Sequence, residues 1–326
     1  PERLPVRLML LALMLASLIL SAALPEAFGG GGLVVAGAFA AIQIGRTVFV
    51  VLALRGDVLQ RNFERILVWC VASGCLWILG ALWPVHVREV VWALAIAVDL
   101  LGSAAGFYTP GLGRSKTQDW TIEGHHIAER CQAFILIALG ESIVLIGATF
   151  AARQPVTGAE IAAFVVGFLG SAALWWIYFD RSAEKSARRI ATSSDPGRLG
   201  RSAYHTIHPI MVAGIIVVAA ADDTVLAHPA AVGDAATAWL VLGGTALFLA
   251  GHALFKIVVW RVTPWSRLAA ILALGLLGLL APHVSALVLG CCAVVVVVAV
   301  AVSDRLLYLS TTSAESPAEP MEMTHR

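Results

Sequence analysis

Apolar residues in this chain gather into runs of about twenty, broken by short polar, glycine-rich or proline-containing stretches. The runs are nearly uniform, with neither the strict alternation of a half-buried strand nor the single stripe of a surface helix, so their length decides the reading. Twenty residues of helix rise about 30 Å, the thickness of a bilayer's hydrocarbon core. Ten such segments are predicted, at about 6–24, 33–54, 66–83, 89–107, 126–152, 159–180, 203–221, 238–259, 268–281 and 284–302. Pro25, the glycines 29–32, Pro84, Pro110, Pro155, Pro196 and Pro264 fall between them, as helix breakers should. The ninth segment is short, and Pro282-His283 joins it to the tenth as a hairpin. The fold class is therefore all-α: a polytopic transmembrane helical bundle of about ten spans over residues 1–309. The segment 310–326, rich in Ser, Thr, Pro and Glu, reads as a disordered cytoplasmic tail.

Composition agrees. The chain is 59% hydrophobic and 13% charged, where soluble domains carry about 25% charged residues, and its mean hydropathy is +0.86. Net charge is +1, so the informative quantity is where the charges sit. With the N-terminus placed in the cytoplasm, 17 of the 22 Lys and Arg residues fall on inside segments. Only Arg88 and Arg153 fall outside, and Arg46, Arg130 and Lys256 lie within spans. That asymmetry orients a multi-pass membrane protein with both ends of this chain cytoplasmic. The longest polar loop, 181–202, carries six cations that face the anionic inner leaflet; solvation alone accounts for them, and lipid-headgroup binding is an unspecific alternative. Since the basic residues follow topology, nothing points to nucleic acid. The partner the sequence specifies is the lipid bilayer, with a small solute or ion as the candidate cargo; it does not specify an oligomeric state.

Three charged residues fall near predicted midplanes: Arg46, Asp99 and Glu141. Ionisable groups at that depth face a bundle interior or a wet cavity, and mark transport pathways or structural ion pairs. One positive against two negative charges leaves a carboxylate to be protonated, to bind a cation, or to pair elsewhere. Arg130 precedes Glu141 by eleven residues, so the two share a helix face within roughly 20° but stand about 16 Å apart along the axis. They read as one wall of a polar path entered from the cytoplasm. His126 and Glu129, and His205 and His208, are spaced i, i+3 at predicted helix starts. Together they are weak candidates for a metal site, since no strong zinc motif accompanies them. His252 and Lys256, at i, i+4, lie toward the cytoplasmic end of the eighth span. The five cysteines sit in apolar stretches without metal-site spacing, and no nucleotide-binding or hydrolase motif is present, so nothing calls for a cofactor.

The stretch HHIAERCQAFILIALGESIVLIGATF, followed by ALWWIYFD at residues 173–180, resembles the bacterial low temperature requirement A (LtrA) family of membrane proteins. RLPVRLMLLALMLAS, TPGLGRS, DWTIEG and DPGRLGRSAY add to the resemblance, which covers roughly residues 1–310. Its core is Glu129, Arg130, Phe134, Leu136, Leu139, Gly140 and Glu141. The resemblance marks Glu129, Arg130, Gly140, Glu141, Trp176 and Asp180 as signature positions and assigns them no reaction. It also implies about two further N-terminal spans with an acidic motif that this sequence lacks. The function expected is that of a membrane protein linked to low-temperature growth. It would transport a small solute or ion, with proton coupling, along a path of Arg46, Asp99, Glu129, Arg130, Glu141, Asp180, His205, His208 and His252. The alternatives are an intramembrane lipid-modifying metalloenzyme and a non-catalytic protein for envelope integrity.

Overall fold

The computed structural model describes residues 4–115, 124–180 and 182–314. Among these, regular structure is entirely helical apart from two isolated bridges, Thr109 with Gly113 and Val232 with Ser285. The chain divides into two compact units, Pro1–Thr121 and Ile122–Arg326.

Unit 1 holds α1 (Leu4–Ala23), α2 (Gly32–Ala53), α3 (Gln60–Ala81) and α4 (Val85–Ala104), each packed on its neighbour in sequence. Its core is aromatic. Trp77 stacks between Phe39, at 4.7 Å, and Trp92, at 5.0 Å between ring centroids. Arg65 donates from Nε to the Leu112 carbonyl at 2.8 Å, and Trp69 Nε1 to that of Tyr108 at 3.1 Å, so the loop after α4 folds back on α3. α1 buries none of its twenty residues although nearly all are apolar. Such a helix is at home in lipid and not in water.

Unit 2 is organised on α9 (His208–Ala227) crossing α11 (Gly244–Trp260). Small residues bring the two backbones together: a Cβ on Gly214 would lie 2.5 Å from the Phe248 nitrogen, and one on Gly251 3.0 Å from that of Met211. Without a hydrophobic effect between helices in lipid, this close approach is what holds them. α5 (Gly124–Ala151) and α6 (Gly158–Phe179) pack on α9. A capping box between Thr157 and Glu160 starts α6. The short α7 (Ser182–Ala191) and α8 (Pro196–Gly200) follow, and α10 (Ala235–Ala238) leads toward α11. α12 (Trp265–Leu277) and α13 (Ala286–Ala314) complete the unit, α12 packing on α11 and α13. Two wide π turns interrupt the ladder, at Arg201–Ile207 before α9 and at Trp239–Gly243 before α11.

Eight described helical stretches are long and apolar enough to cross a bilayer, against the ten expected. α12 has 13 residues and rises about 20 Å, short of a full crossing. α4 has the length but carries Arg88, Glu89 and Asp99. The helix of α13 also runs on to Ala314, past the expected start of the tail at 310; the rest of that tail lies outside the described residues. The all-α polytopic architecture itself is as expected.

Candidate functional site

The densest polar cluster in unit 2 is built by α11, α12 and α13. α12 buries a stripe of Arg267, Ala270 and Leu274, spaced as one helix face, so a guanidinium enters the core beside two apolar side chains. Arg267 is 1% exposed. Its Nη1 and Nη2 donate to the two carboxylate oxygens of Asp304 on α13. Nη1 also reaches Ser266 Oγ at 2.9 Å, and Nε donates to His252 Nδ1 at 3.3 Å. Lys256, one turn beyond His252 on α11, donates to Asp304 Oδ2 at 3.4 Å. Every arm of the guanidinium therefore has a partner, which is how a buried Arg is retained. Since Nδ1 of His252 accepts, the neutral ring carries its hydrogen on Nε2. Asp180, the residue that ends α6, acts electrostatically on Lys256. Two cations and the Asp304 carboxylate thus surround a buried imidazole.

Of this cluster, the sequence pointed to His252, Lys256 and Asp180. Arg267 and Asp304 fall just outside the spans expected at 268–281 and 284–302, because a charge next to an apolar run marks where a span is drawn to end. Arg267 is instead in the first turn of α12, and Asp304 lies within α13.

A second polar group surrounds His208, the first residue of α9. Its buried ring meets Tyr178 edge-on at 5.9 Å and Tyr204 at 6.3 Å between centroids. The ring lies beside the backbone of Cys131, and among the described residues its buried Nε2 has no hydrogen-bond partner. His205 is exposed. The expected face shared by His205 and His208 does not form, because the π turn at Arg201–Ile207 winds wider than an α-helix and rotates the two apart. His126 and Glu129 do pair, at 3.4 Å, on the exposed surface of α5. Among the described residues no three of His, Cys, Asp and Glu converge as metal ligands would.

α5 buries Ala128, Ile135, Leu139, Ser142 and Ile146. Arg130 and Glu141 share the opposite, exposed stripe with Phe134, Ile137 and Val144. Glu141 therefore does not enter the core of unit 2, where an interior position was expected. In unit 1, Arg46 is exposed and donates to Gln43 Oε1 at 3.0 Å, while Asp99 is half-buried beside Ser73 and Trp77. Arg88, expected in an outside loop, is buried. It donates to the carbonyls of Ala27 at 2.8 Å, Gly29 at 3.0 Å, Ala81 at 3.1 Å and Trp83 at 3.4 Å. Asp222 and Asp223, also expected in a loop, lie within α9, where Asp223 accepts from Thr149 on α5.

The family model described as bacterial low temperature requirement A protein (LtrA) matches residues 1–302. The chain belongs to the LtrA family. An uncharacterized protein of Rhizobium meliloti (strain 1021) is 37% identical over 270 residues, covering 82% of this chain and 66% of that relative's length. No solved structure matches. The LtrA assignment agrees with the all-helical, membrane-spanning architecture and ties the protein to low temperature through the family's description. Within this LtrA chain the signature positions separate. Glu129, Arg130 and Glu141 lie on exposed surface of α5, Trp176 is half exposed, and Asp180 approaches the buried cluster.

Proposed function

We propose that this LtrA-family protein moves a small solute or ion across the membrane, with protons as the coupling ion. The observation that carries the reading is the linked set of buried His252 and Arg267 with half-buried Lys256 and Asp304 on α11, α12 and α13 of unit 2. Ionisable residues inside membrane bundles are expensive and mark ion and proton pathways. Transport sites are built where helices are broken or short. Here α12 is too short to cross, and the stretch leading into α11 carries a π turn at Trp239–Gly243, on the same helical stretch as His252. π turns are themselves frequent at functional sites. The exposed stripe of Arg130 and Glu141 supplies a second polar surface for the same path. The distribution of basic residues supports an inner-membrane protein with both ends of this chain cytoplasmic.

The test is proton flux into proteoliposomes containing a trapped pH-sensitive dye, under an imposed potassium diffusion potential. Wild-type protein should conduct above empty vesicles, and Asp304→Asn should conduct less. Flux equal to that of empty vesicles sinks the reading of protons as the coupling ion. His208, with Tyr178, Tyr204 and Cys131 around it, favours a second reading as a lipid-modifying enzyme. A difference in membrane lipid profile between wild-type cells and cells carrying His208→Ala would support that alternative.

A further inference from the structure

The basic stretch between α6 and α9 folds into a defined cavity. α7 turns Ser186, Ala187 and Ile190 inward, and its last turn carries Arg188 and Arg189. Arg189 is fixed twice over against the end of α11: Nε donates to the Val259 carbonyl at 2.8 Å, and the guanidinium lies over the Trp260 ring at 5.1 Å. Trp260 in turn donates from Nε1 to Ser186 Oγ at 2.9 Å. Neither Nη atom of Arg189 is used in these contacts, so among the described residues the guanidinium is held in place with its fork open to the cavity.

Next to it lies a cavity of about 510 Å³ lined by Arg189, Ser194, Asp195, Arg198, Ser202 and Arg261. Among the described lining residues three guanidiniums from three elements meet one carboxylate, two positive charges in excess. Asp195 caps its own turn: Oδ1 accepts the Arg198 backbone N–H at 2.9 Å, and Oδ2 lies 3.5 Å from Arg198 Nε. Arg261 adds a second observation. It closes α11 with φ of +55°, a left-handed conformation that glycine adopts freely and side chains rarely do. The turn does not call for an arginine, and Arg261 lines the cavity with Arg189 and Arg198.

We infer that this cavity binds a phosphate group, carried by an anionic lipid headgroup or by a soluble phosphorylated molecule. Guanidinium forks match phosphate oxygens in pairs, which ammonium groups do not. The volume falls within the range of small-ligand pockets. The cavity rests against Ile257, Val258 and Val259, the last turn of a membrane-length helix, which is the level of a lipid headgroup. Lys256 of the buried cluster is one residue further along α11. The inference stands on the cavity alone and does not depend on transport.

The test uses the full chain purified in detergent, with phosphatidylglycerol, phosphatidylcholine and inorganic phosphate as separate probes. Retained lipid is counted by native mass spectrometry, and phosphate binding is read from thermal unfolding. Arg261→Gly keeps the backbone turn, and Arg198→Gln removes a charge elsewhere in the lining. Wild type should bind phosphatidylglycerol or inorganic phosphate, the probes with net negative charge, and each variant should weaken that binding by about tenfold, the loss of one charge-assisted contact. Preference for phosphatidylglycerol over the net-neutral phosphatidylcholine, competed by phosphate, assigns a lipid headgroup. Stabilisation by inorganic phosphate without lipid retention assigns a soluble ligand, and the phosphate site stands. Wild type that retains phosphatidylglycerol no better than phosphatidylcholine and is not stabilised by phosphate overturns the inference, as do two folded variants that bind as wild type does.

Discussion

Arg267 and Asp304 lie 37 residues apart in the chain and meet fork to fork, both Nη atoms of the arginine donating to both oxygens of the carboxylate. The pair fastens the short α12 to α13 and holds His252 and Lys256 of α11 at the same point. Asp304→Asn leaves a guanidinium that is 1% exposed without its counter-charge. Breaking one side of a buried pair costs about 3–5 kcal/mol. The double variant Asp304→Asn/Arg267→Met removes both charges and should lose clearly less than the sum of the single losses. Thermal unfolding in detergent of the four proteins checks this, and additivity within about 0.5 kcal/mol would show that the pair is not coupled.

The crossing of α9 and α11 leaves no room for a methyl group at Gly214, where a Cβ would fall 2.5 Å from a backbone nitrogen. A neighbour made of backbone cannot rotate away. Gly214→Ala should therefore destabilise by about 1–3 kcal/mol, the usual cost of overpacking. Gly140→Ala on α5 meets open space and serves as the control, with stability unchanged or slightly raised.

In unit 1 the four carbonyls around Arg88 tie α4 to the end of α3 and to the turn before α2. A lysine keeps the charge but lacks the planar fork that reaches two directions at once. Arg88→Lys should lower stability by about 1.5–3 kcal/mol, the worth of hydrogen bonds to a charged group. Gly32→Ala should act in the same direction, because its Cβ would sit 2.5 Å from Arg88 Nη1. Unfolding midpoints equal to wild type for both would show that this staple does not hold unit 1.

Asp234 caps α10 by accepting the Thr237 backbone N–H at 2.7 Å, and that bond holds its carboxyl below the usual carboxylate range. A carboxylate with a lowered folded value contributes stability above its ordinary pKa of about 3.9 and loses it as pH falls through the folded value. Asp234→Ala should thus melt below wild type by a constant margin from pH 7 to about pH 5, and the margin should close under more acidic conditions. A margin independent of pH would mean that the charge plays no part in the cap.

The helices were legible because run length alone specifies a bilayer crossing, and the bilayer needs no further information. What escaped has a common cause. Span boundaries fall at charges, so Arg88, Arg267, Asp222, Asp223 and Asp304, which lie inside helices, fall outside the expected spans. Two lone charges of opposite sign flanking apolar runs, as at Arg267 and Asp304, are equally the mark of an ion pair between helices. Which face of α5 is buried could not be read either. Phe134, Ile137 and Val144 on its exposed side are as apolar as Ile135, Leu139 and Ile146 on its buried one. The π turn that separates His205 from His208 has no signature in residue type, and an α-helical spacing was the natural assumption.

Glu141 remains a discriminating residue because its position separates function from folding. Its side chain is exposed on α5, and among the described residues it makes no ion pair. Glu141→Gln keeps the shape and should change stability by less than about 0.5 kcal/mol, as substitutions away from buried networks do. Asp304→Asn, by contrast, alters stability and any ion path together, so a loss of flux in that variant has two explanations. If Glu141→Gln reduces proton flux in proteoliposomes while its unfolding midpoint stays at the wild-type value, the carboxylate acts on the path itself. If flux and midpoint are both unchanged, the exposed stripe of α5 is not part of the path, and the cluster on α11, α12 and α13 has to carry it alone.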